Sequence, residues 1–188
     1  MSEIVSESVL ARVRLLALDV DGTLTEGAVT FHSGDTESKT FHVHDGLGIV
    51  MASLVGLRTV WITGRVSPIV ERRARELGIT HLRQGVRDKA AVLTEIAGSL
   101  GVPLGDVAYM GDDWNDLPAF AVAGVRLAPA DAAPELLQVA DYVSPRDGGR
   151  GAVRDAIAAI LTAQGRYDTA RTLYLASLTV PTTGAVRQ

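Results

Sequence analysis

The 188-residue sequence contains no cysteine, which removes disulfides, thiolate catalysis and Cys-ligated zinc from consideration. Aromatic residues are only 5% of the chain, and no apolar run approaches the roughly 20 residues a bilayer-spanning helix needs. The opening Met1-Ser2-Glu3-Ile4-Val5-Ser6-Glu7 lacks the basic start and apolar stretch of a signal peptide. There is no excess of positive charge either. Lys and Arg number 18 against 22 Asp and Glu, a net charge of −4 that offers no general attraction to nucleic acid or an anionic membrane. These absences lead us to expect a soluble, cytoplasmic protein. What remains is 47% apolar residues in a chain long enough for one domain with a real core.

The most informative stretch is Leu15-Leu16-Ala17-Leu18-Asp19-Val20-Asp21-Gly22-Thr23. Consecutive apolar residues read as a strand buried on both faces, and two carboxylates follow at its end. Residues two apart on an extended chain point the same way, so Asp19 and Asp21 should share one space. Such a pair costs several kcal/mol unless a cation or a shared proton relieves it.

Further buried strands are expected at Leu57–Thr63 and Val107–Met110, with shorter ones at 80–84, 125–127 and 142–143. Helices should run from Asp45 (as N-cap) to about Val55, Ser67–Leu77, Asp88–Leu100, from the 111–116 turn to about Val122, 133–139 and 152–163. Val29–His32 and Lys39–Val43, joined by Ser33-Gly34-Asp35, read as a hairpin over 29–43. This alternation predicts an α/β, Rossmann-like parallel sheet with helices on both faces and a small hairpin insertion. We divide the chain into an arm (1–12), a catalytic domain (13–165) and a tail (166–188) expected to start helical and, unless docked, to be mobile around Pro181-Thr182-Thr183-Gly184.

In such sheets ligands bind beyond the carboxyl ends of the strands. Asp19 and Asp21, Thr63 and Gly64, and Asp112, Asp113 and Asp116 all fall there, from three separated strands. Clustered carboxylates without His or Cys suit a hard, oxygen-liganded cation, most simply Mg²⁺. Thr63 and Gly64 offer a hydroxyl and a backbone N–H, and Lys89 an ammonium; with the cation they would neutralise a phosphoryl group. Asp19 could then attack phosphorus to form an aspartyl-phosphate, with Asp21 protonating the leaving alcohol and later activating water. Crowding by other carboxylates is the expected means of keeping Asp21 protonated part of the time. A phospho-accepting receiver-type signalling domain also uses an acidic pocket, a Thr and a Lys, but lacks an aspartate two residues after the nucleophile.

Asp19-Val20-Asp21-Gly22-Thr23, Thr63, Lys89 and Gly111-Asp112-Asp113-Trp114-Asn115-Asp116 together resemble the four ordered motifs of the haloacid dehalogenase superfamily. The resemblance implies Asp19 as nucleophile, Asp21 as acid/base, and Mg²⁺ held by Asp19, the Asp21 backbone carbonyl and Asp112. Asp113 and Asp116 would support that site. An aspartate at the Asp21 position implies phosphatase rather than dehalogenase activity. The intervals between motifs leave no room for a cap domain. Within the superfamily, Phe41–Gly48, Ile62–Arg65, Glu71–Gly78 and Gly148–Val153 are similar to the capless family acting on 3-deoxy-D-manno-octulosonate 8-phosphate. That likeness implies a phosphorylated sugar acid as substrate, read by Arg65, Arg73 and the position of His44, where the family usually carries arginine. A nonulosonate 9-phosphate is the alternative. It also implies a homotetramer in which the hairpin covers a neighbouring site.

Overall fold

The computed structural model describes residues 7–34 and 36–179. The Asp35 turn position, the first six residues and the end of the tail around Pro181-Thr182-Thr183-Gly184 lie outside the described residues.

Eight strands and eight helices occur among the described residues. In chain order they are α1 (Glu7–Ala11), β1 (Leu15–Leu18), β2 (Thr30–His32), β3 (Thr36–Ser38), α2 (Val43–Leu54), β4 (Arg58–Ile62), α3 (Pro68–Glu76) and β5 (Leu82–Arg83). There follow α4 (Lys89–Ser99), β6 (Val107–Met110), α5 (Leu117–Val122), β7 (Val125–Ala128), α6 (Pro134–Val139), β8 (Tyr142–Val143), α7 (Ala152–Ala163) and α8 (Tyr167–Ser177). Six strands form one parallel sheet in the order β5-β4-β1-β6-β7-β8, and β2-β3 form a separate antiparallel hairpin. The α/β fold and the absence of a cap agree with the sequence reading: only the hairpin stands between β1 and α2.

The sheet's period of two sorts its core. Leu16 and Leu18 of β1, Trp61 of β4 and Ala108 and Met110 of β6 face one way, packed with residues of α1, α2, α3, α7 and α8. Leu15, Ala17, Val60, Ile62, Val107 and Tyr109 face the other way, against α4, α5 and α6. Every residue of β1 and β6 is therefore buried, which is why both read as unbroken apolar runs.

The hairpin departs from expectation. Its strands pair Thr30 with Ser38 and His32 with Thr36, so the second strand is Thr36–Ser38, not Lys39–Val43. The β-favouring residues of 39–43 have other uses. Lys39 turns toward Asp21, Phe41 stacks on Trp61 with centroids 6.2 Å apart, and His42 rather than Asp45 caps α2. Asp45 lies inside the first turn of α2 and serves a different helix. Its carboxylate accepts the backbone N–H groups of Gly151 (3.2 Å) and Arg154 (2.8 Å) at the start of α7.

Candidate active site

β1 lies between β4 and β6, where the sheet's winding reverses, and its carboxyl end opens the crevice in which such folds bind ligands. Leu18 pairs with Trp61 and with Met110. Asp19 follows directly and donates its N–H to the Met110 carbonyl at 2.9 Å. Thr63 leaves β4 and Asp112 leaves β6 at the same level. The chain then turns at Gly22, whose φ of +99° and whose closeness to the Asp112 carboxylate both exclude a side chain.

Carboxylate oxygens of Asp19, Asp112 and Asp116 lie within 4.8 Å of one another. Among the described residues one cation reaches into the group: Lys89 Nζ is 2.6 Å from Asp116 Oδ1 and 2.8 Å from Asp19 Oδ1. The contact with Asp19 is an ion pair without hydrogen-bond alignment, and Asp19 Oδ1 keeps its acceptor capacity. Asp116 has little to spare. Its Oδ1 accepts from Lys89 and from Tyr109 Oη (2.6 Å), and its Oδ2 from the N–H groups of Asp112 (3.0 Å) and Asp113 (3.4 Å). Thr23 Oγ1 donates to Asp112 Oδ1 at 3.1 Å.

These charges are crowded. Burial, then the nearby Asp116 carboxylate, push the Asp19 carboxyl up to about 7 despite Lys89. Burial, then Asp19 and Asp116, push Asp112 up to about 8. Burial alone would lower Lys89, but Asp19 and Asp116 more than offset it and hold the ammonium above its usual range. Carboxylate crowding in the structure is among Asp19, Asp112 and Asp116. Asp21 stands apart, paired with the Lys39 ammonium, whose side chain has no solvent exposure.

The structure thus brings Asp19, Lys89, Asp112 and Asp116 together, with Asp21 beside them. Lys89 is fully buried rather than solvated. Thr63 is buried, its hydroxyl accepting the Arg65 N–H at 3.4 Å, and Gly64 is exposed beside it. Asp113 faces solvent and caps the turn that follows it. Arg65 reaches the hairpin, its Nη2 3.1 Å from Glu37 Oε2. Two candidates contact none of these groups. His44 is exposed with its ring edge-on to His42, and Arg73 packs over Phe41, against Gly46 and Glu76. Sequence reasoning passed over Lys39 and Tyr109, which looked like a strand residue and a core residue.

The fold and this acidic crevice define a haloacid dehalogenase-like hydrolase, and the profile of that family matches residues 73–157. The chain belongs to this family. It is 42% identical over 170 residues to the 3-deoxy-D-manno-octulosonate 8-phosphate phosphatase of Escherichia coli K12, covering 89% of this chain and 90% of that one. The crystal structure of the Yersinia pestis phosphatase of the same name aligns with a TM-score of 0.85 at 41% identity, over 87% of this chain and 89% of its own. That of Moraxella catarrhalis, in complex with magnesium ion, phosphate ion and a KDO molecule, gives 0.85 at 38%, over 92% and 97%.

Proposed function

We propose that the chain is a Mg²⁺-dependent phosphomonoesterase that hydrolyses 3-deoxy-D-manno-octulosonate 8-phosphate. The carrying observation is the separation of the two carboxylates that follow β1: Asp19 lies in the cluster with Lys89, while Asp21 pairs with Lys39. One suits a nucleophile and the other a proton carrier.

The donor set fits the cation. Asp19, Asp112 and the Asp21 backbone carbonyl are hard oxygen donors, and the repulsion between the two carboxylates favours a divalent ion among them. Asp116, already accepting four hydrogen bonds, and Asp113 orient this group. Bound there, Mg²⁺ supplies charge neutralisation for the phosphoryl oxygens. The protein does the rest. Asp19 attacks phosphorus, and the bond to the sugar oxygen breaks as Asp21 protonates it. Thr63, Gly64 and Lys89 hold the equatorial oxygens. Asp21 then takes a proton from the water that displaces phosphate from Asp19.

Support for the substrate comes from the relatives' activity and from Arg65, a guanidinium at the crevice suited to a carboxylate. Arg73, on α3, and His44, at the start of α2, are the further substrate-side residues of this reading. A nonulosonate 9-phosphate is the alternative within this class. We further propose a homotetramer, cytoplasmic like its phosphorylated substrate, with sites completed by a neighbour. The catalytic domain is 13–165, with 1–12 as arm and 166–188 as tail. Exposed Phe31 on the hairpin, with Val43 and Val66 near the crevice, supports that contact.

Phosphate release from a panel of neutral and acidic sugar phosphates, with and without Mg²⁺, tests the reading. The eight-carbon acid should be preferred and Asp19→Asn should be inert; retained turnover in that variant would remove Asp19 as nucleophile.

A further inference from the structure

Lys39 belongs to none of the motifs discussed above, yet among the described residues its ammonium is the hydrogen-bond and ion-pair partner of the Asp21 side chain. The pairing is asymmetric. Oδ1 of Asp21 accepts from Lys39, whereas Oδ2 is buried and has no partner among the described residues. Lys39 follows β3 directly, and Glu37, two residues earlier, pairs with Arg65 beyond β4. A lysine side chain without solvent exposure loses its hydration and needs a fixed acceptor. Asp21 Oδ1 is that acceptor, and it accepts from the ammonium whether or not Oδ2 carries the proton.

Resting on the phosphatase reading, we propose that Lys39 is a positioning residue for the acid/base carboxyl. It holds Oδ1 of Asp21 on the hairpin side and keeps the side chain from swinging to Lys89, the other buried ammonium nearby. This leaves Oδ2 as the oxygen that carries the proton. In the first half-reaction the bond from Asp19 to phosphorus forms, the bond from phosphorus to the leaving oxygen breaks, and the Oδ2–H bond breaks as that oxygen gains the proton. In the second, Oδ2 takes a proton from water as the water oxygen bonds to phosphorus and the Asp19–phosphorus bond breaks. The hairpin is therefore part of its own subunit's catalytic machinery, whatever it does for a neighbour.

Leaving-group dependence separates this role from a structural one. p-Nitrophenyl phosphate departs without protonation, whereas an alkyl phosphate needs the acid. In Lys39→Met, the burst of p-nitrophenol should keep its rate within about 3-fold. Alkyl-phosphate turnover should fall roughly 10- to 100-fold in kcat with little change in KM, part of the ~10²–10⁴ that a general acid supplies. Steady-state p-nitrophenyl phosphate turnover should fall too, because the aspartyl-phosphate accumulates without a placed base. Lys39→Arg should restore much of the alkyl-phosphate rate. Equal losses of the p-nitrophenol burst and of alkyl-phosphate turnover, in both variants, would overturn the proposal; so would no loss in Lys39→Met. A wild-type protein inert toward both substrates with Mg²⁺ would overturn the phosphatase reading and this one with it.

Discussion

Lys89 Nζ lies 2.6 Å from Asp116 Oδ1, and both side chains are essentially removed from solvent. The pair does more than hold itself together. Asp116 passes its remaining capacity to Tyr109 and to the backbone N–H groups of Asp112 and Asp113, while the same ammonium faces Asp19. A helix start, two strand ends and the turn after β6 are thereby joined through one buried charge.

Removing that charge should be severe. Lys89→Met removes the cation that pairs with Asp19 and Asp116 among the described residues, and breaking a buried pair from one side costs about 3–5 kcal/mol. We expect a loss of that order in urea or guanidinium unfolding without Mg²⁺, and no measurable phosphatase activity. Added Mg²⁺ should recover part of the stability but not the activity. A variant as stable as the parent would mean that the carboxylates are relieved in another way.

The same crowding sets the pH dependence of stability. Asp19 and Asp112 sit at about 7 and about 8, above the usual 3.8. The folded protein therefore binds more protons than the unfolded chain between about 4 and about 8, and its stability falls as pH rises through that window. The contribution of these groups is complete below about 4 and lost above about 8. Unfolding free energies measured with a chelator should show this downward slope. Saturating Mg²⁺ should flatten it, because a ligand set that is already deprotonated has no protons left to lose on unfolding. A slope that rises with pH over this range would contradict the assignment.

Much of the site is legible in the sequence because it is written in local signals. An apolar run that ends in Asp19-Val20-Asp21, and another that ends in Gly111-Asp112, place carboxylates at strand ends without knowledge of the fold. The partners are another matter. Lys39 has the neighbours of a strand residue, and only the fold-back of the hairpin brings it to Asp21. Tyr109 reads as one more core residue of β6 until the register turns its hydroxyl to Asp116. Asp45 has the look of a local cap, yet it serves the start of α7, 106 residues away at Gly151. Side chains whose purpose is set by a distant element carry no local pattern to read.

Gly148 offers a test of how the catalytic turn is held. Its N–H donates to Asp131 Oδ1 at 2.8 Å, and Gly149 donates to the Thr23 carbonyl at 2.9 Å, so this loop lies flat on the turn that carries Asp21. A Cβ at 148 would run into the Gly22 carbonyl, which is backbone and cannot rotate away. Gly148→Ala should cost about 1–3 kcal/mol, as overpacking does, and reduce kcat by displacing the turn. Gly98 is the control: it is helical in α4, and a Cβ there meets nothing. Gly98→Ala should stabilise by about 0.5–1 kcal/mol with activity unchanged. Both would be measured by thermal and denaturant unfolding.

Arg65 separates substrate recognition from chemistry. Its pairing with Glu37 is at 3.1 Å, but the guanidinium is 44% exposed, and such pairs contribute only about 0–1 kcal/mol to stability. Arg65→Ala should therefore fold and unfold nearly as the parent does. If Arg65 receives the carboxylate of the sugar acid, the variant should lose charge-assisted hydrogen bonds of about 1.5–3 kcal/mol, seen as a roughly 10- to 100-fold rise in KM for the acidic substrate. kcat should change little, because the contact is made equally in the ground and transition states. A neutral sugar phosphate should show no change in KM. Arg65→Lys should recover only part of the affinity, since a point charge lacks the planar fork. Equal losses on acidic and neutral substrates would place Arg65 at the phosphate instead, and the choice of sugar would then rest on His44 and Arg73.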